Sequence, residues 1–242
     1  MLVGDECIDH YQYGVVERLS PEAPVPLFKT TRTDTKAGMA GNVHNNLLRL
    51  GCDVVYFHCQ QRCTRTRLID ERSGQHIVRI DHDVVSNPLG FDYYDFDREH
   101  FDVVVISDYD RGAVGESTVR SIVSHFEGPI FADTKKKDHS IFSGCYLKVN
   151  EAEYLAATNR IPSTIITHGK RGATLGAQQF PGYEVGVADI TGAGDTFLAA
   201  LAYKYGVSGS LVQAIEFANK ASSIAVQHVG VYAPTLEEIE GR

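Results

Sequence analysis

The residues best suited to chemistry by type and spacing are Asp189-Ile190-Thr191-Gly192-Ala193-Gly194-Asp195-Thr196-Phe197, a polar, glycine-rich turn that runs into an apolar stretch containing Phe197, Leu198 and Leu201. Two glycines let the backbone turn tightly and let a ligand approach the main chain closely. If the turn opens a helix, the free N–H groups of the first turn and the helix dipole favour an anion there. Asp195 would stand beside that anion, yet an acidic residue also suits the first turn of any helix. Taken alone, the turn supports both readings. Two other phosphate signatures are absent. Gly169-Lys170 lacks the upstream glycine and the following Ser or Thr of a P-loop. Gly192-Ala193-Gly194 lacks the third glycine of a dinucleotide fingerprint and sits late in the chain.

Such a turn needs a frame. Short apolar runs alternate with helical patterns, which predicts a parallel sheet covered by helices. Phe101 to Ser107 (FDVVVIS) reads as the central strand, uniformly apolar as a strand buried on both faces should be. Val54 to Phe57, Ile130 to Asp133, Tyr146 to Asn150 and Ile165 to Thr167 read as further strands. Several end in a polar residue, and open α/β sheets bind ligands at the carboxyl ends of their strands. Val43, Leu47 and Leu50 fall on one helical face before Gly51, and Val119, Ile122, Val123 and Phe126 mark another helix. Two helices close the chain, over about 195–205 and 211–228. The proline-marked stretch from Tyr11 to Asp34 reads as edge strand and loop, because dense prolines cannot sit in a central strand. Thr64 to Asp81 alternates on both sides of Asp70-Glu71-Arg72-Ser73-Gly74, a hairpin whose Arg, Thr and Gln content keeps it outside the core.

The chain has 242 residues, 31 acidic against 23 basic side chains and a net charge of −8. That balance argues against a nucleic-acid backbone as the main partner. No apolar run reaches the roughly 18 residues that would span a bilayer, and the start lacks a secretory pattern. The expectation is a cytoplasmic protein without a membrane partner. Five cysteines and ten histidines follow no disulfide or zinc spacing. No repeat or linker divides the chain, so a single domain over 1–242 is expected.

Six segments in order carry a resemblance. They are Gly4-Asp5-Glu6-Cys7-Ile8-Asp9-His10-Tyr11, Arg18 to Pro26 (RLSPEAPVP), Thr64-Arg65-Thr66-Arg67 with Gln75 to Asp81, Ser107-Asp108-Tyr109-Asp110-Arg111-Gly112, Asn150-Glu151-Ala152-Glu153, and Thr191 to Asp195 (TGAGD). With them the chain resembles the ribokinase-like (PfkB) family of carbohydrate kinases, and within it the heptose-7-phosphate kinase branch. The resemblance implies an α/β fold: a mostly parallel sheet with helices on both faces, plus a small β-lid from segments about 11–34 and 64–81. It also implies transfer of the γ-phosphate of ATP to a sugar hydroxyl. Asp195 is then the general base, and the main-chain N–H groups of Gly192, Ala193, Gly194 and Asp195 form the anion hole. Asn150 and Glu153 would hold Mg2+ through water; as residues alone they equally form a capping box. Asp5 and Asp9 would accept hydrogen bonds from sugar hydroxyls, with Gly38 and Asn42 lining the pocket; turn chemistry at a strand end is their other use. Lys148, with Arg65, Arg67 and Arg79, would meet a phosphate already on the sugar; a solvated hairpin face is the other use of this set. Asp133 matches a position near the nucleotide phosphates. Thr167, Gly169 and Asn219 match positions bordering adenine, and each equally suits a helix or strand terminus; Thr191 opens the signature. Lys136 and Lys137 read as solvated. Lids of this family pair between subunits, which implies a homodimer.

The chain also departs from the pattern. Met39 replaces the second glycine of the family's GG, and Phe57 to Cys63 links a core strand straight to the hairpin where relatives hold a further helix and strand. A parallel crossover takes a dozen or more residues, so a narrower sheet is expected, with one flank of the sugar pocket reshaped or completed by a partner chain. Two functions follow: an active sugar kinase, or a degenerate relative that binds sugar or nucleotide as a sensor or subunit.

Overall fold

The computed structural model describes residues 1–92 and 100–241. In chain order the strands are β1 (Leu2–Gly4), β2 (Glu6–Leu19), β3 (Pro26–Met39), β4 (Tyr56–His58), β5 (Cys63–Asp70), β6 (His76–His82), β7 (Val104–Asp108), β8 (Ile130–Thr134), β9 (Tyr146–Asn150), β10 (Ile165–Thr167), β11 (Ala173–Leu175) and β12 (Gln178–Phe180). The helices are α1 (Ala40–Arg49), α2 (Glu116–His125), α3 (Glu151–Ala156), α4 (Ala193–Ser208), α5 (Leu211–Ala225) and α6 (Leu236–Glu240).

The larger sheet has the order β12-β11-β10-β9-β8-β7-β1-β4. From β10 to β4 every pairing is parallel, and the β11–β12 hairpin extends the far edge antiparallel. Alternation along β7 shows why both faces are covered. Val104 and Ile106 pack with Val119, Ile122 and Phe142 on one side, while Val105 packs with Leu47, Leu198 and Leu201 on the other. The strand order reverses between β1 and β7, so the crevice expected to bind ligands lies beyond the carboxyl ends of these two strands. Residues 59–62 join β4 to β5 directly, and β4 is the end strand of the larger sheet.

Every residue of α4 from Asp195 to Ala202 is buried. A helix apolar on all sides belongs inside the molecule, and α4 packs against α1, α5 and the sheet. Its burial carries the one charged residue of that run, Asp195, into the interior.

The second sheet has the order β3-β2-β5-β6. The stretch expected as edge strand and loop contains more strand than the prolines suggested: β2 and β3 are 14 residues each, and only 20–25 form the connection. Pro21 and Pro24 fall in that connection. Pro26 opens β3, an edge strand, where a missing N–H interrupts no ladder. This sheet meets the larger one at the carboxyl edge: Cys7, Met39 and Cys63 pack against Tyr109, and Lys36 Nζ donates to the Val231 carbonyl at 3.2 Å.

His139 is fully buried in the turn before β9, and both of its ring nitrogens lack a hydrogen-bond partner. Burial pushes its pKa below the ordinary 6.5, ahead of the opposing pull of Glu153 and Asp138. The unfolded chain therefore takes up this proton first. The stability is whole above about 6.5 and is lost as pH falls from there through the depressed native value. A urea midpoint that drops over this window in the native chain and flattens in His139→Leu is the expected result; an unchanged slope refutes it.

Candidate active site

The turn at 189–195 is built by its own polar residues. Asp189 Oδ1 accepts from Thr191 N (2.9 Å) and Thr191 Oγ1 (2.7 Å), and Asp189 Oδ2 accepts from Gly230 N (2.9 Å). These bonds hold Asp189 below the usual carboxylate range although burial opposes them. Gly192 then caps α4 at φ 79°, and a Cβ there would lie 2.6 Å from Asn42 Nδ2. Both the left-handed backbone and the close approach of Asn42 require glycine. No side chain caps this helix start, and the first N–H groups of an α-helix have no intrahelical acceptor. Ala193 N donates to the Ile190 carbonyl at 3.3 Å, and Gly194 is exposed, so the helix start reaches the surface while the carboxylate beside it is buried.

Asp195 is 5% exposed, and both its oxygens are engaged. Asn42 Nδ2 donates to Oδ2 at 2.9 Å, and the Tyr109 hydroxyl donates to Oδ1 at 2.7 Å. Burial raises the Asp195 pKa, while the Asn42 and Tyr109 hydrogen bonds and the Lys148 charge work in the opposite sense. A base whose pKa moves toward neutrality is better matched to accept a proton near pH 7.

Beneath the turn lies a buried ion pair. Lys148 Nζ sits 2.6 Å from Asp133 Oδ2 and donates to the Gly194 carbonyl at 3.1 Å. Lys148 is 2% exposed and Asp133 4%. The expectation that Lys148 meets a substrate phosphate is thus corrected: the ammonium neutralises Asp133 and braces the glycine turn from below. Asp133 Oδ1 has no hydrogen-bond partner, and Lys135 Nζ lies 3.8 Å from it and 2.5 Å from Glu153 Oε1.

Asn150 and Glu153 form the capping box that their spacing allowed, with Glu153 N donating to Asn150 Oδ1 and Asn150 N to Glu153 Oε2, both at 2.8 Å. Asp5 is another correction. Its fully buried carboxylate accepts from the backbone N–H groups of Tyr109 (2.8 Å), Arg111 (3.0 Å) and Ala113 (3.0 Å). With those acceptors taken, Asp5 shapes the loop after β7 instead of greeting a sugar. Asp9 is buried against Arg67 at 3.4 Å, and Gly38 leaves it room, since a Cβ there would stand 2.5 Å from Asp9 Oδ2. Lys136, expected as solvated, is also corrected. It pairs with Asp108 (2.8 Å) and Asp110 (2.9 Å), because the buried Asp108 requires a counter-charge.

Thr167 donates to the Val149 carbonyl at 3.4 Å, Asn219 donates to the carbonyls of Phe180 and Pro181, and Gly169 opens a turn at φ 58°. Among the described residues no hydrogen bond joins these three to the Asp195 group. The functional residue that sequence reasoning missed is Tyr109, quoted above only as part of a motif. Its signal is its place, one step past the carboxyl end of the central strand. Met39 also gains a meaning. Its backbone sits at φ 55°, a region glycine favours, at a cost of about 1–3 kcal/mol, and its side chain is buried in the cluster beside Tyr109. Two surface grooves lie elsewhere: one of about 440 Å³ between Arg120 and Ser140, the other of about 390 Å³ between Arg49 and Tyr232. Neither is lined by Asp195.

Known proteins fit this arrangement. Residues 136–239, which include Asn150, Glu153 and the glycine turn, match the family described as pfkB family carbohydrate kinase. The bifunctional protein HldE of Nitratiruptor sp. is 29% identical over 294 aligned positions, covering 99% of this chain and 64% of that relative. The chain thus spans less than two thirds of the relative's length. Since 294 positions hold a chain of 242 residues, about 50 positions of that relative have no counterpart here. Among solved structures, ribokinase from Thermotoga maritima superposes with a TM-score of 0.74 at 17% identity, covering 99% of this chain and 97% of that one. Arabidopsis thaliana ribokinase complexed with ribose and ATP gives 0.72 at 16% identity, covering 99% and 96%. Among the described residues no helix is long and apolar enough to cross a membrane. Family model, relative and fold point the same way: residues 136–239 match the pfkB carbohydrate kinase family, the chain is similar over 99% of its length to HldE, and its fold is ribokinase-like.

Proposed function

We propose that this chain is an ATP-dependent sugar kinase that transfers the γ-phosphate to a hydroxyl of a sugar phosphate of the heptose-7-phosphate kind. One observation carries the reading: a buried carboxylate of raised pKa, Asp195, stands directly beside the free N–H groups at the start of α4. Phosphoryl transfer asks a protein for alignment, a proton acceptor and fixed positive poles for the phosphoryl oxygens. Asp195 takes the proton of the acceptor hydroxyl as that oxygen attacks the γ-phosphorus. The N–H groups of Gly194 and Asp195 meet the charge on the phosphoryl oxygens. Asn42 holds the second carboxylate oxygen and so fixes the orientation of the first.

The residues also suit a magnesium ion. Among the described residues no cluster of three or more His, Cys, Asp or Glu side chains could hold a metal. The Lys135 ammonium between Glu153 and Asp133 nonetheless marks a place where a cation is favourable. Asn150 and Glu153 would hold the ion, mostly through water, and when bound it neutralises charge on the nucleotide phosphates.

The second sheet acts as a lid. Its residues Asp9, Arg65 and Arg67 line one face, since Asp9 pairs with Arg65 in register and residues two apart share a face. Arg65 and Arg67 each keep a buried Nε without a hydrogen-bond partner; Arg67 is engaged by Asp9 and Arg79 by Asp81, whereas Arg65 makes no ion pair among the described residues. Arg65 is therefore the guanidinium assigned to the phosphate of the acceptor. The lid also exposes Ile77, Val78 and Ile80 on β6, which supports a homodimer joined there; a monomer by light scattering at micromolar concentration overturns that part.

The closed state of Asp195 favours a second reading, a binding protein without turnover. ATP consumption with heptose 7-phosphate, fructose 6-phosphate and ribose decides between them. Turnover with at least one of them is expected, and nucleotide binding with no turnover on any establishes the second reading.

A further inference from the structure

Asp195 Oδ1 is where an acceptor hydroxyl must donate before it loses its proton, at a heavy-atom distance of about 2.6–3.2 Å. In this structure a hydroxyl already stands there, that of Tyr109 at 2.7 Å. We infer that Tyr109 is a gate residue: its phenol occupies the acceptor-hydroxyl position on Asp195, keeps water out of it, and is displaced by the sugar. This inference rests on Asp195 being the general base.

The loop that carries Tyr109 limits how the gate can work. Three backbone N–H groups, those of Tyr109, Arg111 and Ala113, are tied to the buried carboxylate of Asp5. Asp110 takes φ 57° and Gly112 φ 100°, and a Cβ on Gly112 would lie 2.0 Å from the Ser86 carbonyl. A backbone held this closely is a poor hinge. The side chain would instead turn about its own χ angles. It is half-buried, packed on Cys7, Met39 and Cys63, with Lys135 Nζ 5.3 Å from its ring centroid. Displacement thus trades one hydroxyl donor on Asp195 for another, and leaves a rigid loop in place as the wall of the acceptor pocket.

The gate has a chemical purpose. A kinase base beside a bound triphosphate is also a base for water. If water sat on Oδ1, its oxygen could attack the γ-phosphorus. The bond to the β-phosphate oxygen would break, the water proton would pass to Asp195, and ADP and inorganic phosphate would leave without a sugar product. A phenol filling that position removes the nucleophile. It also satisfies a buried carboxylate oxygen that would otherwise lack a donor, a costly state in an interior.

The test is Tyr109→Phe in the full chain, with ATP and magnesium, assayed with no acceptor and with heptose 7-phosphate. Acceptor-independent ATP hydrolysis is expected to rise about fivefold, the factor that one ordinary hydrogen bond supports. The KM for the acceptor should fall by a similar factor while kcat changes less than about twofold, because the sugar no longer competes with the phenol. In Tyr109→Phe/Asp195→Asn the extra hydrolysis should vanish. If Tyr109→Phe lowers kcat with KM and hydrolysis unchanged, Tyr109 orients the base and the gate is refuted. If all three quantities stay at their native values, the gate is equally refuted. Should the native chain and the variant both bind ATP yet neither hydrolyse it nor phosphorylate any sugar, the kinase reading itself fails and takes the gate with it. Transfer by the native chain separates that case from the other two.

Discussion

Asp195→Asn is expected to lower the rate of phosphoryl transfer by about 10²–10⁴-fold, the range that a positioned general base contributes. The amide keeps the size of the carboxylate but cannot accept a proton at neutral pH. Nucleotide binding should persist, because under the proposed function the phosphates would be held by backbone N–H groups of α4 and not by this side chain. The pH profile offers a second measurement on the native chain. The base must be ionised to work, and burial raises its pKa above the ordinary carboxylate value of 3.8. Activity should therefore fall as pH drops through that raised value, at a higher pH than a solvated aspartate would give. A steady-state assay of kcat and kcat/KM against pH reads both effects. A loss of less than tenfold in Asp195→Asn would mean that the proton goes elsewhere.

The second large effect concerns stability. Lys148→Met leaves Asp133 charged, buried and without its ammonium, and Asp133→Leu does the same to Lys148. Removing one partner of a buried ion pair typically costs about 3–5 kcal/mol. Either single variant should lose that much in urea or thermal unfolding. The double variant should lose less than the sum of the singles, since two apolar side chains of similar size leave no buried charge behind. Lys148 also donates to the Gly194 carbonyl, so Lys148→Met should lower turnover even at temperatures where the chain remains folded. Simple additivity of the two losses would show that the pair is not coupled. A Lys148→Met variant of native stability would show that the ammonium is solvated.

Much of the frame was legible because it is written in local patterns. The apolar run read as a central strand over Phe101 to Ser107 overlaps β7, Val104–Asp108, an interior strand of the larger sheet covered on both faces. Tyr146–Asn150 and Ile165–Thr167 are strands with the boundaries read from the sequence. The hairpin about Ser73-Gly74 is present, with β6 exposed along its whole length. The proline-rich stretch was harder, since prolines argue against strand where they stand but say nothing of the residues on either side. The antiparallel pairing of β2 with β3, which dominates the second sheet, is made by residues up to some 30 positions apart and carries no local mark.

The site divides along the same line. The sequence by itself determined that a glycine turn with an adjacent carboxylate opens a buried helix, because φ 79° at Gly192, the missing side-chain cap and the apolar run after Asp195 all follow from residues within a dozen positions. It also determined that Asn150 and Glu153 meet, because i, i+3 contact is a property of one helical turn. What the tertiary structure alone decided is which charges are spent on one another. Asp5 bonds to a loop more than 100 residues away, Lys148 turns inward to Asp133, Lys136 answers Asp108, and Tyr109 reaches Asp195 across 86 positions. The physical reason is that backbone geometry is set by near neighbours, whereas a buried charge takes whichever partner the packed elements bring within about 3 Å, and no spacing in the chain encodes that distance.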